Sequence, residues 1–166
     1  MDTLQRYRFN TAQGILELAC IDIAEPNNGR MLYEVKLSLN DTDVTKKYFG
    51  SWSYINMNLS EYTPVSADKK WIYIPNESNH FLINADTLEK VELPTAAFFK
   101  ANQFTDDYLL VHTSGSIVSR NLRKGKNQTW AQESAHIYFE SIKQVSSRRL
   151  IAQLNNGKQM VLLLEE

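Results

Sequence analysis

The chain has 166 residues, of which 43% are hydrophobic and 22% are charged, and its formal net charge at neutral pH is -1. This composition is typical of a globular protein and argues against a disordered chain or a membrane-embedded one. The length suits a single domain with one well-buried core. Because the charge is close to zero, the chain has no general attraction to nucleic acid or anionic lipid. We therefore expect no membrane partner and disfavour a nucleic-acid partner.

The N-terminus and the single cysteine indicate a compartment. The segment MDTLQRYRFNTAQ contains an early acidic residue and no apolar stretch of the kind that a secretory signal requires. We therefore expect a cytoplasmic protein, unless a signal has already been removed. Cys20 cannot form an internal disulfide. The alternation in ILELACIDI gives it a buried strand position, where a thiol acts as a small hydrophobic group.

The first predicted elements are two strands that form a hairpin. Apolar and polar side chains alternate in residues 15–23 and again in residues 32–39, and residues 26–29 between them read PNNG. This pattern is typical of two antiparallel strands joined by a turn. The sequence NDTD at residues 40–43 ends the second strand. In residues 46–62 we expect another strand pair, pinched at a glycine.

From residue 65 onward, one pattern recurs along the chain. SADKKWIYIP, FTDDYLLVH and VSSRRLIAQ each contain a polar turn and then a short apolar strand, which begins at Trp71, Tyr108 and Leu150. These starts are 37 residues (71 to 108) and 42 residues (108 to 150) apart. A turn rich in Gly, Asn or Ser follows each strand and leads into a second strand. This period predicts repeated antiparallel meanders.

These repeats resemble the degenerate blades of WD-like and related β-propellers. The best match is FLINADTLEKVEL at residues 81–93, and the resemblance covers about residues 64–166, without the Gly-His and Trp-Asp signatures of the WD class. A closed ring takes about four to eight blades. With three units visible, the first sixty residues are the candidate for a fourth. A strand near residues 7–9 would then pair with the last repeat, which lacks an outer strand.

We predict an all-β fold of antiparallel meander repeats, either propeller-like or an open stack of small sheets. An open stack would rely on a partner or a second copy to cover its ends. A β-sandwich or barrel is the alternative. Residues 1–166 are expected to form a single all-β domain, with a hairpin-rich N-terminal subregion at 1–63 and blade-like repeats at 64–166.

Aromatic residues are concentrated between residues 48 and 73. Rigid aromatic side chains supply much of the energy at protein interfaces and also line ligand pockets. Neighbouring glycine and serine residues favour exposure of Trp52 and Tyr54, and we add Tyr48 to this candidate binding surface. Aromatic side chains are equally good core residues in a β-protein. The residues that we assign to the core are Phe49, Trp71 and Tyr73.

A basic segment, RNLRKGKNQTW, provides a second candidate binding surface. Arg123 and Lys124 lie near Trp130, and Arg148 with Arg149 could lie on the neighbouring repeat. Basic groups beside an aromatic ring can bind phosphates and stack on bases. A basic hairpin tip also serves as a solubilising device at a sheet edge, and the near-zero net charge favours this second interpretation.

No motif predicts a catalytic residue, a metal site or a cofactor. Asp106 and Asp107 could act as a general acid and a general base. In the equivalent turns of the other two repeats, however, the pair is an acidic residue next to a basic one, or a serine next to a basic one. A position whose charge changes between repeats is more simply a solvated turn. The spacing of His80, His112 and His136 matches no local metal-ligand pattern.

The leading hypothesis is therefore a non-enzymatic β-repeat protein that binds another protein, as an adaptor or an immunity-like protein does. Self-association is a separate expectation, because the repeat count is incomplete. The alternative is a small-molecule or carbohydrate binder that uses a central channel or an end cleft. A hydrolase using Asp106, Asp107 or His112 is a third hypothesis.

Overall fold

The protein is almost entirely β-structure, and its strands form four antiparallel sheets in chain order. The structure, a computed structural model, describes residues 4–22, 32–51, 53–56, 61–76, 79–95, 99–113 and 115–166. Within these residues each sheet is open, and none closes on itself into a barrel. The predicted all-β fold class is confirmed, and the sheets are consistent with an open stack.

The first sheet contains five strands, in the order β1-β2-β3-β4, with β5 also paired to β3. The strands are β1 (Leu4–Thr11), β2 (Gly14–Asp22), β3 (Leu32–Leu39), β4 (Thr42–Asp43) and β5 (Tyr54–Asn56). The predicted hairpin is confirmed, because β2 pairs with β3 in a register that sets Leu18 opposite Leu37. The turn that we predicted between them lies outside the described residues. Asn40, with a φ of 49°, ends β3 as expected.

The segment after β4 differs from the prediction. Where we expected a strand pair, the described residues form a short helix α1 (Thr45–Phe49) followed by strand β5. The helix buries Tyr48 and Phe49, and it ends at Gly50, whose φ of 69° lies in the left-handed region that favours glycine. A helix of this length spans little more than one turn, so its sequence shows no helical periodicity.

The remaining chain forms three further sheets. The second contains β6 (Trp71–Ile74), β7 (Phe81–Asn84) and β8 (Lys90–Glu92). The third contains β9 (Phe99–Phe104), β10 (Tyr108–Thr113), β11 (Ser116–Asn121) and β12 (Lys126–Ala131). The fourth contains β13 (Phe139–Ser146), β14 (Arg149–Leu154) and β15 (Gln159–Leu163). In each sheet, consecutive strands pair as a meander.

The predicted strand starts fall at equivalent places in these three sheets. Trp71 and Tyr108 begin β6 and β10, and Leu150 is the second residue of β14. β10 and β14 each lie between two partners, and β6 has β7 on one side and a bridge from Val65 on the other. The repeated antiparallel sheets are therefore confirmed, whereas the resemblance to propeller blades stays a prediction.

The suggested pairing between the N-terminal strand and the last repeat is wrong. β1 pairs with β2, and this register sets Tyr7 opposite Leu18 and Phe9 opposite Leu16. Among the described strands, β15 pairs with β14 alone. Tyr7 packs edge-on against Tyr62 in the same part of the molecule, so the first strand contributes to the N-terminal core.

The core consists of two hydrophobic clusters that meet at the third sheet. The larger cluster joins the first, second and third sheets, and the smaller one joins the third and fourth sheets. Alternate residues of β10 enter different clusters, because successive side chains of a strand point to opposite faces. Leu109 and Val111 belong to the larger cluster, whereas Tyr108 and Leu110 belong to the smaller one. The third sheet is therefore covered on both faces around β10.

Candidate functional site

The described members of the predicted aromatic surface do not come together on the outside of the molecule. Tyr48 lies in the core, where its hydroxyl group donates a 2.7 Å hydrogen bond to the Leu88 carbonyl oxygen. Tyr54 is half-buried on β5, opposite Glu34 of β3. Trp52 lies outside the described residues. Tyr48 is thus placed where a partner cannot reach it. Of the aromatic residues assigned to the core, Phe49 and Tyr73 are buried and Trp71 is half-buried.

The predicted basic residues lie together in a cleft between the third and fourth sheets. Arg123 and Lys124, in the turn after β11, line it with Arg148, and the cleft has a volume of about 390 Å³. It also contains two carboxylates. Asp107 lies 3.9 Å from Arg123, and Glu166 lies 3.4 Å from Arg148.

Trp130 does not join this basic group. It is half-buried near the far end of β12, where it pairs with Ile117 and packs against the smaller core cluster. A nucleic-acid site would need the bases and the phosphates to be bound side by side. The structure separates the aromatic ring from the cations and places carboxylates beside two of them.

The carboxylates that we considered for catalysis are in open surroundings. Asp106 is exposed, and the Asp107 side chain, 48% exposed, faces Arg123. A general acid needs a carboxyl pKa raised by burial or by a second carboxylate. Neither aspartate is buried at this turn, and Asp107 faces a cation, so the geometry gives no support to the hydrolase hypothesis.

The buried histidines are held by backbone carbonyl groups. Nε2 of His80 donates a 2.6 Å hydrogen bond to the Pro94 carbonyl oxygen, and its Nδ1 accepts one from the Tyr73 hydroxyl group. Nε2 of His112 donates a 3.0 Å hydrogen bond to the Phe139 carbonyl oxygen. Burial lowers the pKa of both imidazoles. These contacts give both residues a structural role.

The one cysteine is also a structural group. Cys20 is buried on β2 as predicted, and burial raises the pKa of its thiol to about 12. A thiol with such a pKa is almost entirely protonated at neutral pH and is a poor nucleophile. Within the described ranges, no three His, Cys, Asp or Glu side chains are grouped so that they could hold a metal ion.

A second cleft separates β9 from β13, the first strands of the third and fourth sheets. Its volume is about 370 Å³, and Lys100, His112 and Glu140 are among the residues that line it. Nζ of Lys100 lies 3.5 Å from the Phe139 carbonyl oxygen and 5.2 Å from the centre of the Tyr138 ring. This cleft brings a cation, an imidazole and a carboxylate to one place.

The fourth sheet carries the three most exposed of the large apolar side chains in the described chain. Val161 is 61% exposed, Leu163 is 59% exposed and Val145 is 52% exposed. Ile151 lies opposite Val161 and is half-buried. We call Ile151, Val161 and Leu163, together with Lys143 and Arg149 on the same face and Val145 in the bulge of β13 beside them, the open face. The inner face of the same sheet packs against the third sheet.

The two cations of the open face are unpaired within the described part of the chain. Lys143 lies opposite Ile151, and Arg149 lies opposite Leu163, so both flank the apolar centre. Both side chains are exposed, and neither forms an ion pair with a described residue. The open face therefore has an apolar centre and a basic rim.

The sequence contains a signal for this face that alternation alone does not use. Residues 160–164 read MVLLL and are apolar at every position. Such a run is typical of a strand that is covered on both faces. In the structure, Leu162 is buried on the inner face while Val161 and Leu163 remain exposed. The run thus has one covered side and one uncovered side.

The outer face of the first sheet has the opposite character. Arg6 and Arg8 of β1 both bind Glu17 of β2, through contacts of 2.7 Å and 2.9 Å. Hydrogen bonding, first from Arg8, lowers the pKa of this carboxyl group. Glu34 and Lys36 continue the face along β3, opposite the buried alternate positions of that strand. We call these five residues the polar end face.

No protein-family model matches the chain, and no curated protein matches it. A solved structure described as the extracellular domain of a one component system from B. thetaiotaomicron is similar to the chain, with 11% identity and a TM-score of 0.48. The match covers 95% of this chain and 21% of that one, so this chain spans about a fifth of its length. A likeness at this level carries no functional argument. No helix in the described ranges is long and apolar enough to cross a membrane.

Proposed function

We propose that the protein is a non-enzymatic binding module that docks another protein on the open face. The observation that carries this proposal is the exposure of Val161 and Leu163 on one face of the fourth sheet, with Val145 exposed in the adjacent bulge of β13. Contiguous exposed apolar patches rimmed by polar residues mark interaction sites in soluble proteins. On the inner face of the same sheet, Leu150 and Leu162 are buried against the neighbouring sheet.

The chemistry of the face defines the partner. An apolar centre favours an apolar surface, because burial of both would remove them from water. The unpaired Lys143 and Arg149 favour carboxylates at the edge of that surface, since complementary charges fix orientation and speed association. The partner is thus a protein with an apolar patch flanked by Asp or Glu.

A second copy of this chain fits the open face less well. Face-to-face pairing would bring two copies of Lys143 and two of Arg149 into one interface, with no carboxylate from either face to neutralise them. Head-to-tail pairing would set the open face against the polar end face, whose charges would lose water without gaining apolar contacts. The experiment must therefore distinguish self-association from the binding of a different protein.

The experiment uses a double variant and a matched control. Val161→Glu with Leu163→Glu adds carboxylates to the open face, and Ile15→Glu makes the same kind of change at a 50% exposed apolar residue of the first sheet. Wild type and the two variants are each crosslinked in lysate of the source organism, and the captured proteins are identified by mass spectrometry. A captured protein is then purified and titrated against all three chains.

The expected result is one partner that crosslinks to residues 143–163 and binds wild type and Ile15→Glu equally. The double variant should bind it at least about tenfold more weakly, because two buried apolar contacts are replaced by like charges. A partner retained by the double variant, or no partner that depends on the open face, would overturn the proposal. A wild-type dimer in light scattering that the double variant abolishes would replace the partner by a second copy.

The cleft between β9 and β13 favours a second candidate function, the binding of a small polar molecule. The observation is the convergence of Lys100, His112 and Glu140 on one cleft. A ligand of the native state raises the melting temperature. A thermal-shift screen of sugars and polar metabolites should therefore give a hit that Lys100→Ala removes. A flat response across the screen would count against this function.

A further inference from the structure

The fourth sheet lacks the outer strand that completes the third sheet. In the third sheet, β12 pairs with β11 over six residue positions, from Ser116 opposite Ala131 to Asn121 opposite Lys126. In the fourth sheet, β15 takes the place of β11, and no described strand pairs with its far edge. The meander that the chain builds with four strands in one sheet is thus built with three in the next.

The hydrogen-bonding groups of β15 alternate between its two edges. The Leu164 N–H donates to the Arg148 carbonyl oxygen at 2.8 Å, and the Lys158 carbonyl oxygen accepts from the Leu154 N–H at 2.9 Å. Even-numbered residues therefore face β14. In an antiparallel ladder the intervening residues turn their backbone groups the other way. Gln159, Val161 and Leu163 accordingly carry their N–H and C=O groups on the far edge.

One side chain already pairs with this edge in the manner of a strand. The amide group of Gln128, on β12, donates to the Leu163 carbonyl oxygen at 3.2 Å and accepts from the Glu165 N–H at 2.9 Å. A side-chain amide offers the same donor and acceptor as a peptide unit. The C-terminal end of the edge is therefore engaged by a peptide-like group, while the backbone of Gln159 and Val161 lies beyond this contact.

The edge also lacks the charged residues that usually protect an outer strand. β8 carries Lys90 and Glu92, and β12 carries Lys126. β15 reads QMVLL and contains no charged residue. Natural edge strands are commonly kept from pairing with other chains by charge, by proline or by a bulge. The register of β15 with β14 is continuous from Gln159 to Leu163, without a bulge.

We propose that the far edge of β15 accepts an extended strand from the partner, which becomes the fourth strand of this sheet. This inference rests on the proposed function, since the strand would belong to the protein that covers the open face. Main-chain hydrogen bonds give such complexes affinity, and alternate side chains give them specificity. The accepted strand should place apolar side chains beside Val161 and Leu163 on the open face.

The test uses a 12-residue phage-displayed peptide library selected against the intact protein, and two variants of Val161. Val161→Pro removes the outward N–H while it keeps an apolar side chain and leaves the bonds to β14 in place, because edge strands tolerate proline where the N–H faces solvent. Val161→Thr keeps the N–H and the β-branched shape. Circular dichroism melts establish that both variants are folded, and Leu163→Pro replaces Val161→Pro if the latter does not fold.

The proposal predicts that selected peptides alternate apolar and polar residues. Val161→Pro should weaken their binding about tenfold, whereas Val161→Thr should weaken it by less than about threefold, since one backbone bond is lost only in the first. In wild type, the amides of Val161 and Leu163 should exchange with solvent rapidly when free and slowly with peptide bound. Those of Met160 and Leu162 should be slow in both states.

The outcomes separate this inference from the proposed function. In one outcome the double glutamate variant no longer binds the selected peptides, Val161→Pro binds them normally, and the Val161 amide of wild type stays in fast exchange. The open face would then bind the peptides, and strand addition would be wrong. If Val161→Pro weakens peptide binding, Val161→Thr does not, and the Val161 amide of wild type becomes protected with peptide bound, strand addition stands. If neither change affects binding, both proposals fail.

Discussion

The two end sheets of the stack have similar inner faces and opposite outer faces. Leu16 and Leu18 in the first sheet, and Leu150 and Leu162 in the fourth, are buried against neighbouring sheets. The outer faces differ in that one carries ion pairs and the other carries exposed Val and Leu side chains. Repeat proteins need terminal units with polar outer faces to remain soluble. The comparison shows that inner positions determine how the sheets stack, whereas outer positions determine which end is left for a partner.

The largest expected effect tests whether the two inner faces are equivalent. Leu18→Ala and Leu150→Ala each remove a fully buried side chain, so each should lower the free energy of unfolding by about 2–5 kcal/mol. Urea unfolding of both variants measures this. A loss below about 1 kcal/mol for Leu150→Ala alone would show that the fourth sheet is not part of the cooperative structure, and the comparison would fail.

The next effect concerns pH and the attachment of the fourth sheet. Burial lowers the pKa of His112 from its ordinary value of 6.5, so the folded protein keeps this imidazole neutral to lower pH than the unfolded chain does. The contribution of His112 to the free energy of unfolding is therefore fully present above the unfolded pKa and is lost as pH falls below about 6.5. His112→Gln keeps an N–H for the Phe139 carbonyl oxygen and should reduce this loss.

Amide exchange at falling pH sharpens the same comparison. His112 bonds to Phe139 of the fourth sheet. Protonation of His112 should therefore lower the protection of the amides in β13–β15 against exchange before it lowers that of β2 and β3. His80 is the matched control, since burial also lowers its pKa but its carbonyl partner, Pro94, lies next to the second sheet. His80→Gln should leave the order of exchange unchanged. A loss of amide protection that begins in β2 would contradict this assignment.

A smaller effect tests the two outer faces directly. Val161→Thr with Leu163→Thr should reduce the binding of a fluorescent apolar dye, because the open face loses apolar surface. Ile15→Thr, in the first sheet, should leave dye binding nearly unchanged, since it is an isolated apolar residue beside charged ones. The free energy of unfolding should change by about 0.5 kcal/mol or less in all cases. Equal dye binding by wild type and all variants would show that the two outer faces do not differ in this way.

The smallest effect is expected at the polar end face. Hydrogen bonds from Arg8 and Arg6 lower the pKa of Glu17, so this carboxylate stabilises the folded state above its unfolded pKa. That contribution is lost as pH falls through the lowered value. Glu17→Gln should therefore slightly reduce the difference between unfolding midpoints in urea at neutral and acidic pH. An exposed ion pair contributes little, so a large change would show that Glu17 has a further role.

The sequence predicted those features that depend on local alternation. The pairing of β2 with β3 and the starts of β6, β10 and β14 follow from apolar residues at every second position and from polar turns between them. The helix α1 was missed because five residues are too few to show a helical period. The burial of Tyr48 was missed because it depends on Leu88, which lies forty positions further along the chain.

The candidate site depended on information that the sequence does not carry locally. Residues 160–164 are apolar at every position, and only the stacking of the sheets decides which of their two faces is covered. The same holds for Arg123, whose neighbour Asp107 comes from a different turn. The exposure of Trp52 stays a prediction, since that residue lies outside the described ranges.

The two-sided burial of β10 has a consequence for how the molecule melts. Tyr108 and Leu110 are covered by the C-terminal part of the chain, and Leu109 and Val111 by the N-terminal part. If either part unfolded, it would expose one face of β10, the strand on which the other part packs. Neither half can therefore be cut away as an independent unit. Calorimetry should show a single heat-absorption peak shared by the entire chain.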